Sequence, residues 1–183
     1  MEIKISTQLM LKILYVVAWI IFIGVCIEAG GFIVNALFAI INPAIVKHLW
    51  QQVDLSDLFK YDLGYFFAVT LTMSIAAIMR AWLFYLIIKM LHNKKLNIAQ
   101  PFSIEVRRFI FRIAYLALLI GFFCWWGVKY VEWLVKQGVH MPDSQYLRLD
   151  GADVWLFMGV TLLVIAQIFK RGIEIQSENE LTV

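Results

Sequence analysis

Charge is the scarcest property of this chain. Charged residues make up 16% of its 183 positions, against about 25% in a soluble domain. Too little charge remains to cover a solvated globular surface. Histidine is also scarce, and His48, His92 and His140 all fall in connecting segments. That removes the ligand pairs a haem would need across a helix bundle. There is no H-E-x-x-H, no G-x-S-x-G and no Walker-type GK[ST] in the sequence, which removes the usual zinc-protease, hydrolase and nucleotide-binding motifs. No Ser/His or paired-Asp arrangement lies within the apolar stretches either. No catalytic residue, metal site or cofactor is expected, and the chain is not expected to be an enzyme. The 2 cysteines, Cys26 and Cys124, lie inside apolar stretches and read as small packing side chains rather than a disulfide. Internal repeats and low-complexity segments are missing as well.

What is present is hydrophobic length. The chain is 62% hydrophobic, and its apolar residues gather into four runs, at about 11–41, 63–88, 105–130 and 154–170. A bilayer core of about 30 Å requires about 20 apolar residues in a helix. The expected fold is therefore an all-α membrane protein: one four-transmembrane-helix bundle filling 1–183, with a cytoplasmic tail at 171–183. Lys4 and Lys12 precede the first run, which is too long for a signal peptide and closes on no A-x-A-like site; it reads as a retained anchor. Seven Met and fourteen Phe read as packing material.

Basic residues set the expected orientation. With the N-terminus inside, the inner segments hold Lys4, Lys12, Lys89, Lys94, Lys95, Arg107, Arg108, Arg112, Lys170 and Arg171. The outer segments hold Lys47, Lys60, Lys129, Lys136 and Arg148, so the bias is ten against five. Positive charge collects on the cytoplasmic side, so both termini are expected inside. Trp50, Tyr61, Tyr65, Trp125, Trp126, Tyr130, Trp133 and Trp155 then cluster at the outer interface, which suits rings with one wet edge.

The first outer loop carries Pro43, which ends the first helix near Ile41. Asp54 and Asp57 have N-cap spacing and predict a short interfacial helix setting Leu55, Leu58 and Phe59 against the membrane. The second outer loop, with Gly138, Pro142 and Gly151, is expected to form an ordered cap packed through Tyr146, Leu147 and Leu149. The inner loop His92–Ser103 leads into a helix that Ser103 caps and Glu105 supports. Arg108 and Arg112 share a helix face beside Arg107. This basic cluster suits anionic lipid headgroups or an acidic cytoplasmic partner.

Two charges lie inside spans. Glu28 and Arg80 each cost roughly 2.5–3.5 kcal/mol near the bilayer centre and call for a partner or for water. Glu28 stands about 24 Å beyond Lys12 and Arg80 about 13 Å from Lys89 along their helices, so direct pairing has to bridge a mismatch in depth. Otherwise Arg80 snorkels inward and Glu28 faces an outward-open cavity. Gly30 and Gly31 beside Glu28 allow a close approach or a break in the helix, and the carboxylate reads as a ligand or ion site or as a contact that specifies the bundle. Asn35, Thr70, Thr72, Ser74, Thr161 and Gln167 line a polar seam or make ordinary interhelical hydrogen bonds of about 0.6 kcal/mol each.

The last run continues through Lys170 and Arg171 into an acidic tail with Glu174, Glu178 and Glu180. Its segment LLVIAQIFKRGIEIQSENELTV, residues 162–183, resembles the C-terminal signature of the domain of unknown function 2975 family, small bacterial four-span membrane proteins. Gln167 stands where an acid is common in that family, and Glu180 where Asp is common. The stretch from Gln100 to Arg112, QPFS followed by basic residues, resembles the family's second shared patch. The resemblance implies a bacterial inner-membrane location and assigns no activity. Family members are often encoded beside a small helix-turn-helix transcription regulator, which implies a membrane partner that holds or releases a cytoplasmic DNA-binding protein. Phe102, Arg107, Arg108 and Arg112, with Glu174, Glu178, Glu180 and Val183 of the tail, would form its docking face. The alternative is a small channel, transporter or lipid-binding protein using Glu28 and Arg80. Assembly with other membrane subunits or with a second copy stays open, and direct contact with nucleic acid is not expected.

Overall fold

A computed structural model describes residues 7–50, 53–92 and 102–180. Among them the fold is all helical: α1 (Thr7–Ile41), a 3-10 turn (Pro43–His48), α2 (Ser56–Tyr61), α3 (Leu63–His92), α4 (Ile104–Lys136) and α5 (Ala152–Glu180). Four of these, α1, α3, α4 and α5, are long and apolar enough to cross a membrane, and they make this a multi-pass membrane protein. At 29 to 35 residues and 1.5 Å per residue, each overshoots the hydrocarbon core by several turns. This is why α5 runs on past the expected limit of its span to Glu180.

Local chemistry sets the helix ends. Asn42 accepts a hydrogen bond from the Ala44 amide at 3.2 Å, with Pro43 as the first residue of the 3-10 turn. Ser103 caps α4 as the sequence predicts, its hydroxyl accepting from the Val106 amide at 3.2 Å. The far end of α4 closes on Gly138, at φ +88°. There Val139 N bonds Leu134 O and Gly138 N bonds Val135 O, the paired geometry of a left-handed helix stop.

The long helices pack in chain order. Antiparallel contacts join α1 to α3 (Phe22 with Tyr85), α3 to α4 (Tyr65 with Tyr130 and Trp133) and α4 to α5. Among the described residues the backbone of α1 comes within 8 Å, Cα to Cα, of neither α4 nor α5, and that of α3 does not come so close to α5. The bundle is thus open, with α1 and α5 as its edges. Only 6% of the most apolar stretch of α1 and 11% of that of α5 are buried, against 33% for α3 and 28% for α4. The α4–α5 seam is tight because glycine meets leucine reciprocally. A Cβ on Gly121 would lie 2.7 Å from Leu156 Cγ, and one on Gly159 would lie 2.7 Å from Leu118 Cγ. Small residues at such seams are what lets apolar helices approach in a membrane.

The loops at one end belong to the core. Leu55, Leu58, Leu147 and Leu149 are fully buried beside Phe66, Val69 and Leu134. The short helix in the first connection exists, but Leu55 and Leu58 face protein rather than lipid, a correction to the interfacial reading. Those side chains are drawn in because α3 and α4 leave an unfilled apolar surface at this level. Asp54 accepts from the Ser56 amide at 2.8 Å, and the Ser56 hydrogen bonds hold its carboxyl below the usual carboxylate range. Tyr146 departs from the expected packing and is exposed. This end, carrying the 42–62 and 137–151 connections, is the cap end; the opposite one, with the start of α1 and the end of α5, is the tail end.

Candidate functional site

Two clusters gather the polar residues singled out in the sequence. The first lies between the hairpins. Glu28 projects from α1 and Arg80 from α3, and neither finds the other. Arg148, from the cap loop, stands between them: its Nε lies 3.1 Å from Glu28 Oε1, while its carbonyl accepts from Arg80 Nη2 at 2.6 Å. Arg80 Nη2 also reaches Cys124 Sγ on α4 at 3.3 Å. One loop residue thus spans the mismatch in depth and ties α1 to α3, and Arg80 carries the tie on to α4. The Glu28 contact is an ion pair without hydrogen-bond alignment, so the buried Oε1 lacks an aligned donor. Arg148 adopts φ +56°, a left-handed conformation costly for a side-chain-bearing residue. Burial of Leu147 and Leu149 on either side holds it there.

No sequence motif marks Arg148. The one available signal is the Leu147-Arg148-Leu149 alternation, an isolated cation between two apolar side chains in a loop. Gly30 and Gly31 do not break α1, which is helical throughout. Gly31 instead receives the Trp50 ring, since a Cβ there would lie 2.6 Å from Trp50 Cδ2. Trp50, Asn35, Thr70 and Met73 line a small apolar cavity, into which Asn35 brings a buried Nδ2 without a hydrogen-bond partner. Thr70, Thr72, Ser74 and Thr161 donate to carbonyls of their own helices, so they form no seam between helices. Gln167 is exposed on α5 and joins neither cluster.

The second cluster lies at the tail end. Phe102 packs on α5: its ring centroid is 5.3 Å from that of Phe169, and a Cβ on Gly172 would lie 2.6 Å from its Cδ1. Phe102 is therefore part of a clasp between the start of α4 and the end of α5, still 40% exposed. Glu174 is engaged by its own helix, at 3.2 Å from Arg171 Nη1 and 4.0 Å from Lys170 Nζ, rather than by the basic start of α4. Arg108 and Arg112 are exposed on one face of α4, and Arg107 beside them has a buried Nε without a hydrogen-bond partner. Glu178 is exposed near the end of α5 and Glu180 is its last residue. Lys94, Lys95 and Val183 lie outside the described residues.

Comparison with known proteins supplies a family and nothing more specific. The family model described as a protein of unknown function (DUF2975) matches residues 50–183. That stretch takes in Arg80, Arg148 and the whole tail-end cluster, and leaves α1 with Glu28 outside. No curated protein and no solved structure matches the chain.

Proposed function

We propose that this chain, which belongs to the DUF2975 family of proteins of unknown function, is a membrane-embedded signalling partner. It would hold or release a cytoplasmic helix-turn-helix regulator at its tail end, in a bacterial inner membrane with both termini inside. One observation carries the reading: α5 is a single helix that starts just beyond the first cluster and runs into the second. It begins at Ala152, four residues after Arg148, and ends at Glu180 after passing Phe169 and Gly172 in the Phe102 clasp. A helix moves as a rigid element, so a change that frees Arg148 at the cap end shifts the α5 surface that a partner meets. Such coupling needs two states with different contacts, and the off-axis Glu28–Arg148 ion pair is a contact that can be exchanged. Phe102, Arg107, Arg108, Arg112 and the end of α5 form the docking face.

The test is a crosslinking pull-down from native membranes, full-length protein against protein lacking residues 177–183. Recovery of a small DNA-binding protein that depends on the tail supports the reading. An intact complex after the deletion refutes it.

The alternative, a small channel, transporter or lipid-binding protein, draws on the Glu28 oxygen without an aligned donor. Glu28→Gln separates the two. Altered flux or ligand binding at normal expression favours the pathway, whereas lower thermal stability alone favours the tie.

A further inference from the structure

The tail end carries a groove that shares Arg108 and Arg112 with the docking face proposed above. It lies between the end of α3 and the start of α4, a cleft of about 160 Å³ open to solvent on one side. Leu86, Lys89 and Met90 line it from α3, and Glu105, Arg108, Phe109 and Arg112 from α4. The spacings follow from helical periodicity: residues three and four apart share a face, so each helix offers one stripe to the groove. The stripes are amphipathic in the same sense. Met90 is buried and Leu86 and Phe109 are half-buried, forming an apolar floor, while the charged side chains are exposed around the rim.

The rim is cationic and unneutralised. Three cations face one carboxylate, and among the described residues Arg108, Arg112 and Glu105 enter no ion pair. Lys89 Nζ lies 5.8 Å from the Tyr85 ring centroid, which steadies the ammonium without neutralising it. The contrast with Lys170 and Arg171 at the same end is direct, since both of those have Glu174. Depth matters too. The groove occupies the last turns of α3 and the first turns of α4, where the apolar runs give way to Lys and Arg, the level of lipid headgroups.

We infer that this groove is a binding site for an anionic phospholipid: Arg108, Arg112 and Lys89 hold the phosphodiester, and Leu86, Met90 and Phe109 receive the start of an acyl chain. Guanidinium groups match the paired oxygens of a phosphate, and the apolar floor selects a lipid over a soluble anion. The net positive rim disfavours a headgroup that carries its own cation. The inference does not rest on the regulator reading, but both draw on Arg108 and Arg112, so a lipid held there and a protein partner on the docking face compete for those two side chains.

The experiment uses full-length protein in nanodiscs of mixed phosphatidylglycerol and phosphatidylcholine, followed by native mass spectrometry of the lipid retained in detergent. Selective retention of phosphatidylglycerol is expected, with Arg108→Gln and Arg112→Gln each weakening it about fivefold. Lys170→Gln with Arg171→Gln leaves retention unchanged. In a parallel melt, short-chain phosphatidylglycerol raises Tm and inorganic phosphate does not. Equal retention of both lipids, undiminished retention in the arginine variants, equal loss in the Lys170/Arg171 variant, or protection by phosphate alone overturns the inference. Lys89→Gln, exposed and distant from the core, is read by the same criteria if an arginine variant fails to fold.

Discussion

The two ends of the molecule solve opposite problems. At the cap end two loops sink Leu55, Leu58, Leu147 and Leu149 into the core, and Arg148 is locked between Glu28 and Arg80. At the tail end the ion pairs among the described residues that join Lys170 and Arg171 to Glu174 are local to α5, Arg108 and Arg112 of α4 are exposed, and an aromatic clasp joins the start of α4 to α5. Packing is concentrated where loops are buried, and exposed charge without an ion pair where a partner or a lipid can reach it. A membrane protein cannot use the hydrophobic effect between helices inside lipid. Its discriminating contacts therefore gather where chain leaves the hydrocarbon, and the two ends have divided them.

The largest break in that contrast is Leu149→Ala. Leu149 is fully buried and presses on Gly127, so truncation is expected to cost about 2–5 kcal/mol, as for other core leucines, and to lower Tm markedly in detergent melts. Next comes the cap-end tie. Arg148→Ala and Glu28→Gln are each expected to cost about 1–2 kcal/mol, less than a fully buried pair because the Arg148 side chain is 49% exposed. The double variant should fall short of the sum; strict additivity in a double-mutant cycle would mean the contact carries no energy.

At the tail end Gly172→Leu drives a side chain into the Phe102 ring. Its stability cost should stay below that of Leu149→Ala, because the clasp is half open, while capture of a tail-end partner is lost; a detergent melt reads the first and the pull-down the second. The smallest effect belongs to Asp54→Asn. The Asp54 carboxyl is held below its usual range in the fold by the Ser56 hydrogen bonds, so its contribution is present above the unfolded pKa and is lost as pH falls through the folded one. The variant should match the parent in acid and be slightly less stable at neutral pH, as Tm against pH will report.

Much of the fold was legible because bilayer length and capping chemistry are local. The four runs, the stop at Pro43 and the Ser103 cap all follow from neighbours in sequence, whereas α5 runs on as helix past the expected end of its span. The site was legible only in part. Glu28 and Arg80 stood out as charges in apolar runs, but their mediator, Arg148, sits 68 residues from Arg80 in a loop whose burial depends on the open surface of α3 and α4. The Phe102–Gly172 and Trp50–Gly31 contacts were hidden for the same reason: a glycine is silent about which ring fills its place. Thr70, Thr72 and Ser74 form neither a polar seam nor hydrogen bonds between helices, because hydroxyls in apolar helices satisfy themselves on the preceding turn.

The central claim is that α5 links the two ends. Spin labels on Glu105→Cys and Ser177→Cys, both exposed positions, measure the spacing of α4 and α5 at the tail end. Cys26 is exposed and is replaced by Ser, whereas buried Cys124 stays. The account predicts that Arg148→Ala, made at the far end, shifts or broadens this distance distribution in nanodiscs. A distribution identical to that of the parent would contradict it.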